Sequence, residues 1–269
     1  MTGDMPASHG IDSSVATAAR MYDYFLGGHE NFAVDRIAAL KIIQAAPEIP
    51  ELARENRKFL GRAVRFLVGE AGISQFLDLG TGLPTRGNVH QVAQQLNHAA
   101  RVIYVDNDPM VYAHSRALKT GDGTAVIQAD MRDTDNTLGH PDLRRLTDPS
   151  EPLAVMFISV LHFISDADAP HEIVREYLGA FAPGSYLALS HATTDPSPRT
   201  AETVASVYAA TTNPARARTR AEILQFFDGL ELVGPGLVPI SEWRPEAPAQ
   251  EDPLRQWMLG GVGRSLFER

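Results

Sequence analysis

Residues 75–85 read Gln-Phe-Leu-Asp-Leu-Gly-Thr-Gly-Leu-Pro-Thr, and this stretch decides the fold of the chain. A short apolar run that ends in an acid, followed by two glycines one residue apart, predicts a buried strand that turns sharply outward. Gly80 and Gly82 allow positive φ angles and let a ligand approach the bare backbone. In an open α/β sheet, a ligand binds at the carboxyl end of such a strand. On its own, the Gly-x-Gly pattern also fits a strand-to-helix turn that holds no ligand.

The composition indicates a globular protein and excludes several kinds of site. The chain has 269 residues, 44% hydrophobic and 21% charged, which suits one or two domains with a sizeable core. It contains no cysteine, so disulfides, thiolate metal sites and cysteine nucleophiles are excluded, and we predict no metal site. The net charge of -9 argues against a large nucleic-acid interface. Residues 153–164 are too short an apolar run to cross a bilayer and no signal peptide is evident, so we expect a cytoplasmic protein without membrane contact.

The order of elements predicts a helical preface followed by a sheet. Helices are predicted over residues 13–26, with Ser13 or Ser14 as N-cap, then from Asp35 to the prolines near 50, and over 51–70. Strands are predicted over 75–79, 101–106, 125–130, 153–159 and 186–190, with helices over 88–98, from 109, and over 168–181. A short irregular or helical piece covers 140–148. This alternation predicts a parallel sheet with helices on both faces.

The carboxyl-terminal part is predicted to close the sheet. Helices are expected over 199–211 and 219–227, and the stretches 229–238 and 255–262 are expected to form an antiparallel pair. The proline-rich segment 243–253 between them is predicted to be a surface loop.

Three strand ends carry acids that suit an adenosine. Asp106 is placed where a carboxylate accepts hydrogen bonds from both hydroxyls of a ribose. Asp130 is placed to accept from the exocyclic amine of a purine, while Met131 offers a backbone N–H and an apolar wall. Asp78 precedes the glycine turn. Together these groups predict an adenosine that lies across three strand ends.

The glycine turn itself indicates what the adenosine carries. A dinucleotide would place its pyrophosphate on a Gly-x-Gly-x-x-Gly turn, but the third glycine position is Thr85 and Pro84 has no N–H. Asp78 would also repel a phosphate, whereas it would attract the α-amino group and sulfonium of S-adenosylmethionine. No phosphate-binding Gly-x-x-x-x-Gly-Lys-Ser/Thr motif is present. The turn therefore favours an aminoacyl ligand over a phosphate.

The middle of the chain resembles the class I S-adenosylmethionine-dependent methyltransferases. The motif Arg20-x-Tyr-Asp-Tyr-x-Leu-Gly-Gly, with residues 31–36, 78–85, 105–109 and 161–164, resembles one bacterial family of S-adenosyl methyltransferases whose substrate is unassigned. His29 departs from that family, which more often has lysine there. The resemblance implies a Rossmann-like class I methyltransferase fold, with a mainly parallel seven-stranded sheet and helices on both faces. It implies an amino-terminal helical cap over 1–72 and an S-adenosylmethionine-binding domain over 73–269.

The resemblance also implies S-adenosyl-L-methionine as cofactor and S-adenosyl-L-homocysteine as product. Gly80 and Gly82 would hold the methionine portion, and Asp78 its amino group. Tyr22 and Asn31 are predicted to bond the carboxylate end from a lid hinged at Gly-Gly, unless the helix only docks its aromatic side chains on the core. The predicted cofactor residues are Tyr22, Asn31, Asp78, Gly80, Thr81, Gly82, Asp106, Asn107, Asp130, Met131 and Ser159.

Methyl transfer needs alignment of donor and acceptor more than acid–base chemistry. His162 follows the fourth strand and is the one catalytic candidate, either as general base or acceptor-positioning group, or as a cap on the strand end. His191 is predicted to be structural, with a place in the acceptor pocket as the alternative. Arg20 is predicted to be solvated on its helix, with pairing to a carboxylate as the alternative. The run Arg216-x-Arg218-x-Arg220 is predicted to be a solvated helix start, with a gate for an anionic acceptor as the alternative.

These observations predict a methyltransferase that acts on a small molecule rather than on nucleic acid. Two alternatives remain open from sequence. One is a non-catalytic S-adenosylmethionine sensor, which would share every cofactor residue. The other is a nicotinamide-dependent oxidoreductase, which the missing third glycine disfavours.

Overall fold

The computed structural model describes residues 11–117, 121, 123–247 and 256–266. Three helices come first: α1 (Ala18–Phe25), α2 (Ala33–Ala45) and α3 (Ile49–Gly69). The prediction that Ser13 or Ser14 begins α1 is wrong. Thr17 is the N-cap, because its side chain accepts the backbone N–H of Arg20.

The sheet and its helices follow in the predicted alternation, and α6 is a helix that the sequence did not predict. In chain order the elements are β1 (Gln75–Leu79), α4 (Val89–Leu96), β2 (Arg101–Asp106), α5 (Pro109–Ala117), β3 (Thr124–Gln128), α6 (Thr134–Gly139), α7 (Pro141–Leu146), β4 (Ala154–Ile158), α8 (Pro170–Gly179), β5 (Tyr186–Ala192), α9 (Pro198–Tyr208), α10 (Arg220–Leu224), β6 (Leu230–Leu232), β7 (Val238–Pro239) and β8 (Met258–Ser265).

The described strands form one eight-stranded sheet in the order β3-β2-β1-β4-β5-β8-β6, with β7 paired to β8. Strands β1 to β5 are parallel, and β8 runs antiparallel to β5, β6 and β7. The predicted closing antiparallel pair is thus confirmed. The sequence predicted seven strands and the structure has one more among its described residues. The extra strand is β7, which has two residues and is too short for hydrophobic periodicity to indicate. The strand order reverses between β1 and β4, and a crevice for ligands forms at such a switch point.

Apolar layers cover both faces of the sheet, as predicted. Phe76 of β1 packs with α3 and α4, whereas its neighbour Leu77 packs with α8 on the opposite face. The prediction of a surface loop over residues 243–253 is wrong at Trp243. Trp243 is fully buried, with its ring edge-on to Phe59 at a centroid distance of 5.5 Å, because α3 offers an aromatic pocket there. Residues 248–253 of that loop lie outside the described residues.

Within the described residues, no helix combines the length and the apolar character needed to span a membrane.

Candidate active site

A cavity of about 450 Å³ lies at the carboxyl ends of the parallel strands. Its wall comes from the segments that follow β1, β2, β3 and β4, from residues 11–22, from α3, and from residues 208–214. The predicted site residues in this wall are Tyr22, Asp78, Gly80, Thr81, Gly82, Asp106, Asn107, Asp130, Met131, Ser159 and His162. The fold therefore brings together residues that are up to 140 positions apart, and Asn31 is the predicted residue that it leaves outside.

The two positions after β1 are glycine for different structural reasons. Gly80 has φ of +69°, and a Cβ there would lie 2.2 Å from a methyl carbon of Val160, so only glycine fits. Gly82 has φ of +65°, but a Cβ there would meet no atom within 4 Å. Gly80 thus fixes the packing of the turn against the β4 segment, and Gly82 presents bare backbone to open space.

Asp106 is held in place by the backbone at the end of β2. One carboxylate oxygen accepts the N–H of Asp108 at 2.9 Å, and the other accepts the N–H of Gly82 at 2.9 Å. Each oxygen keeps further lone-pair capacity for a ligand. Burial raises the pKa of Asp106 to about 6, although both backbone hydrogen bonds oppose that rise.

Asp78 lies buried next to a cation that the sequence did not single out. Its carboxylate accepts the hydroxyl of Thr81 at 3.1 Å, and burial raises its pKa to about 6 against the opposing charge of Arg57. Arg57 projects from α3 into the cavity wall and donates from Nη2 to the carbonyl of Gly87 at 3.1 Å. Its buried Nε has no hydrogen-bond partner among the described residues. Helical periodicity does not distinguish Arg57 from the exposed Arg54, so no sequence signal marked it.

Asp130 is paired with Arg132, a second cavity residue that the sequence analysis missed. Nη2 of Arg132 lies 2.6 Å from one oxygen of Asp130, and Nε lies 3.0 Å from the other. Hydrogen bonds from Arg132 lower the pKa of Asp130, so the carboxylate stays ionised at neutral pH. The carbonyl of Met131 accepts the hydroxyl of Tyr177 at 3.0 Å, which anchors this turn to α8.

Ser159 begins the cavity wall after β4 in a left-handed conformation with φ of +58°. Its N–H donates to the Ser190 hydroxyl at 2.9 Å, which holds the turn to the neighbouring strand. A non-glycine residue in this region of backbone space costs energy and is found most often at functional sites.

His162 lies in the 3-10 turn Leu161–Phe163 and contributes to the cavity wall. Its Nδ1 faces the backbone N–H of Ala192 at 3.5 Å, and its Nε2 makes no hydrogen bond with the described residues. Burial, reinforced by the charge of Arg218, lowers the pKa of His162 to about 3. The imidazole is therefore neutral at physiological pH.

His191 has a structural environment, in line with its prediction. It is fully buried, with Nδ1 2.7 Å from the carbonyl of Ala192 and Nε2 2.9 Å from Nη1 of Arg218. Because an arginine only donates, Nε2 accepts and Nδ1 carries the proton. Burial, followed by the effect of His162, holds the pKa of His191 well below its usual range.

The prediction of a solvated arginine run is wrong at Arg218, which is 1% exposed. Its guanidinium donates to the carbonyls of Leu161 and Ile164 and pairs with Asp166 at 2.8 Å. Long-range contacts bury it, because residue 218 bridges to the end of β5 at Thr193. None of the three arginines contributes to the cavity wall, so the structure offers no support for a gate at an anionic acceptor.

The prediction of a solvated Arg20 is also wrong. Arg20 is 1% exposed and its Nε lies 2.9 Å from the fully buried carboxylate of Asp35. Its terminal nitrogens donate to the carbonyls of Asp12 and Val15. Arg20 therefore fastens the amino-terminal arm, residues 11–17, along the cavity.

The remaining polar residues of the amino-terminal motif stabilise the turn between α1 and α2. Asn31 donates to the Asp23 carboxylate at 2.7 Å and to the carbonyl of Gly28 at 3.1 Å, so it does not reach the cavity. A Cβ on Gly28 would lie 1.9 Å from an Asp23 oxygen. Tyr22 does reach the cavity, but its hydroxyl already donates to the carbonyl of Ala53 and accepts from Asn56, both at 3.0 Å.

Comparison with known proteins identifies close relatives of the whole chain. A family model described as S-adenosyl methyltransferase matches residues 4–266. A candidate methyltransferase of Thermobifida fusca YX has a solved structure that is 44% identical and superposes with a TM-score of 0.92, covering 97% of this chain and 99% of that one. A DUF574 family protein of Streptomyces avermitilis MA-4680 is 41% identical with a TM-score of 0.91, covering 94% and 99%. Among curated proteins, the chain has no detectable relative.

Proposed function

This chain belongs to the S-adenosyl methyltransferase family and is an S-adenosylmethionine-dependent methyltransferase, and we propose that it methylates a small molecule bound at the β4 end of the cavity. Family membership favours this activity over the sensor and the oxidoreductase. One observation carries the proposal of a small acceptor. A single cavity of about 450 Å³ combines the residues suited to the cofactor with a wall of residues 160–164 that they do not use.

The cavity residues fit S-adenosylmethionine, which supplies an electrophilic methyl group on its sulfonium. The free lone pairs of Asp106 accept the ribose hydroxyls, with Asn107 beside it, and Asp130 with Met131 holds the adenine. Gly80, Thr81 and Gly82 line the methionine portion, next to Ser159. These assignments rest on the position of each residue in the cavity wall.

We assign the zwitterionic end of the cofactor to the pair of Asp78 and Arg57. Asp78 attracts the ammonium group, and the orphaned Nε of Arg57 is the donor that a carboxylate satisfies. Tyr22 lines this region with its hydroxyl already engaged, and Arg57 replaces Asn31 in the proposed set. The amino-terminal segment 1–72 then acts as a cap because α3 carries Arg57, and 73–269 remains the proposed cofactor-binding domain.

His162 acts in this proposal by positioning the acceptor. A neutral imidazole whose pKa is about 3 is a weak base. Because Nδ1 faces the backbone N–H of Ala192, Nε2 carries the proton and donates a hydrogen bond to the acceptor. Alignment of donor and acceptor contributes as much as roughly 7–11 kcal/mol of barrier lowering without a strong base. The residues around His162 thus supply orientation rather than proton removal.

The cofactor assignment is tested by calorimetry with S-adenosylhomocysteine. Arg57→Met removes the donor to the carboxylate and is expected to weaken binding about 10- to 100-fold, the range for a hydrogen bond to a charged group. Arg54→Met on the same helix is the matched control, because Arg54 is exposed and lies outside the cavity, and it should bind as the unchanged protein does. Equal affinity in both variants would remove Arg57 from the site.

The acceptor class is tested with cofactor that carries a radiolabelled methyl group. The enzyme is incubated with small-molecule and macromolecular fractions of an extract from cells that make it. Label is expected in the small-molecule fraction, above the level given by heat-inactivated enzyme. Label in protein or nucleic acid, or no label in either fraction, would contradict the proposal.

A further inference from the structure

The end of the cavity after β4 has a distinct lining, which we call the acceptor end. It consists of residues 11–18 of the amino-terminal arm and α1, residues 160–164 after β4, and residues 208–214 at and beyond the end of α9. The cofactor assignments above use the segments after β1, β2 and β3, the α3 residues and Ser159. The acceptor end is therefore the part of the wall that remains for a second ligand.

Three neighbouring aromatic rings line the acceptor end. The rings of Phe163 and Tyr208 pack at a centroid distance of 5.2 Å and an angle of 64°, and the imidazole of His162 lies 4.4 Å from the Phe163 ring. Other side chains, among them Val15 and Ile164, line the rest of this part of the wall. Aromatic side chains pack well against a further ring, by stacking or edge-to-face contact. The lining thus favours a flat, unsaturated ligand.

Charge is absent from the interior of the acceptor end, as far as the described residues show. Asp12 is exposed at the mouth and its carboxylate accepts from the N–H and hydroxyl of Ser14. The guanidinium of Arg20 already pairs with Asp35 and donates to two backbone carbonyls. A charged ligand buried here would find no free counter-ion, and an unpaired buried charge is costly. The lining therefore disfavours carboxylates, phosphates and ammonium groups.

Two polar atoms beside the aromatic rings of the acceptor end are available to a ligand. Nε2 of His162 and the hydroxyl of Tyr208 make no hydrogen bond with any residue that the structure describes. Burial raises the pKa of Tyr208, so its hydroxyl stays protonated and both donates and accepts. His162 is neutral, and because its Nδ1 faces the N–H of Ala192, its Nε2 carries the proton and donates. These groups among aromatic rings suit a ring that carries both an acceptor atom, for Nε2, and an N–H or O–H, for the Tyr208 oxygen.

The volume limits how large that ring system is. Small-ligand pockets span about 300–1,000 Å³, and this cavity of about 450 Å³ must hold the cofactor and the acceptor together. The acceptor therefore shares one small-molecule cavity with the cofactor, which favours a small ring system over a large one.

We propose that the methyl acceptor is an uncharged aromatic or heteroaromatic ring with a nucleophilic N–H or O–H, held between His162 and Tyr208. This inference rests on the proposed function, because it assumes that the cofactor fills the other end of the cavity. Nitrogen or oxygen of the acceptor forms the new bond to the methyl carbon while the carbon–sulfur bond breaks. The proton of that N–H or O–H leaves to solvent, and S-adenosylhomocysteine is the second product.

The test uses the full chain saturated with S-adenosylhomocysteine and three probes with the same phenol ring. These are 4-hydroxybenzamide, which is neutral, 4-hydroxybenzoate, which is an anion, and tyramine, which is a cation. Binding is measured by ligand-observed NMR titration at neutral pH. The neutral probe is expected to bind at least about tenfold more tightly than either ion, because the ions must lose water without gaining a counter-ion. Equal or tighter binding of an ion, or no saturable binding of any probe, would overturn the proposal.

The variant Tyr208→Phe tests the acceptor site separately from cofactor binding. It removes one neutral hydrogen bond and should weaken the neutral probe about 2- to 10-fold while leaving the affinity for S-adenosylhomocysteine unchanged. Tyr112→Phe on α5 is the matched control, because Tyr112 lies outside the cavity wall, and it should change neither affinity. Unchanged probe binding in Tyr208→Phe would remove Tyr208 from the acceptor site. Failure of S-adenosylhomocysteine to bind counts against the proposed function, whereas a preference for an ion with the product bound counts against this inference alone.

Discussion

Asp106 accepts the backbone N–H of Gly82 at 2.9 Å, and this bond joins the end of β2 to the glycine turn after β1. A second backbone N–H, from Asp108, fixes the other carboxylate oxygen. The protein thus fixes the orientation of the Asp106 carboxylate before a ligand binds, so binding does not have to order this side chain. Pre-organisation of this kind increases affinity by lowering the cost of ordering on binding.

The first prediction concerns Asp106 itself. Asp106→Ala removes the proposed acceptor for the ribose and releases the N–H of Gly82, so affinity for S-adenosylhomocysteine should fall about 10- to 100-fold by calorimetry. Asp135→Ala is the control, because Asp135 is exposed on α6 and outside the cavity. An Asp106→Ala protein that binds as tightly as the control would exclude Asp106 from the ribose site.

Cofactor binding should weaken in mild acid. Burial raises the pKa of both Asp78 and Asp106 to about 6, and only the ionised carboxylates attract an ammonium group and accept from ribose hydroxyls. Affinity for S-adenosylhomocysteine should therefore fall by about tenfold or more between pH 7 and pH 5. Calorimetry at constant ionic strength measures this loss of affinity. Asp78→Asn should make the profile less steep, because Asp106 is then the one of the two carboxyl groups that still titrates. A flat profile in the unchanged protein would contradict the assignment.

The same two carboxyl groups should make the ligand-free protein less stable as the pH rises, whereas cofactor affinity rises with pH. Their folded-state pKa values of about 6 lie above the ordinary value of 3.8, so the folded chain binds more protons than the unfolded chain between pH 4 and pH 6. Their contribution to the free energy of unfolding therefore falls as pH rises through this window. Urea unfolding of Asp78→Asn without ligand should show a smaller decline over the same range than the unchanged protein. An identical decline would show that Asp78 does not titrate as a buried group.

Arg20 should be essential for stability, in contrast to a surface arginine. Arg20→Met leaves the Asp35 carboxylate buried without its cation, which is expected to lower the free energy of unfolding by about 3–5 kcal/mol in urea titrations. Arg54→Met breaks an exposed pair with Glu51 and should cost at most about 1 kcal/mol. The double variant Arg20→Met/Asp35→Leu should recover part of the loss, because no unpaired charge remains. Similar losses in Arg20→Met and Arg54→Met would show that burial of the pair has no energetic effect.

Gly28 should not tolerate a side chain. In Gly28→Ala the new Cβ would meet the Asp23 carboxylate at 1.9 Å, and Asp23 cannot move without losing its bonds to Asn31 and the N–H of Glu30. A loss of about 1–3 kcal/mol in unfolding free energy is expected. Gly69→Ala at the end of α3 is the control, because a Cβ there meets no atom within 4 Å. Equal stability of both variants would refute the steric argument.

Sequence and structure agree where the deciding interactions are local. The strand ends at Asp78, Asp106 and Asp130 lie in the cavity wall because parallel strands end at one edge of the sheet. The two glycines after β1 have the positive φ angles that their pattern indicated. The three amino-terminal helices that periodicity predicted are present, and their role as a cap stays a prediction.

By itself, the sequence determined the order of strands and helices and the acids at three strand ends, because periodicity and turn chemistry act between near neighbours in the chain. Only the tertiary structure decided which polar residues are buried and what they meet. Arg218 bonds to carbonyls more than 50 residues away, Arg57 lies beside Asp78 across the helix–sheet interface, and Asn31 turns to Asp23 instead of the cavity. Burial and charge pairing depend on contacts between segments distant in the chain, and a residue's local pattern does not contain them.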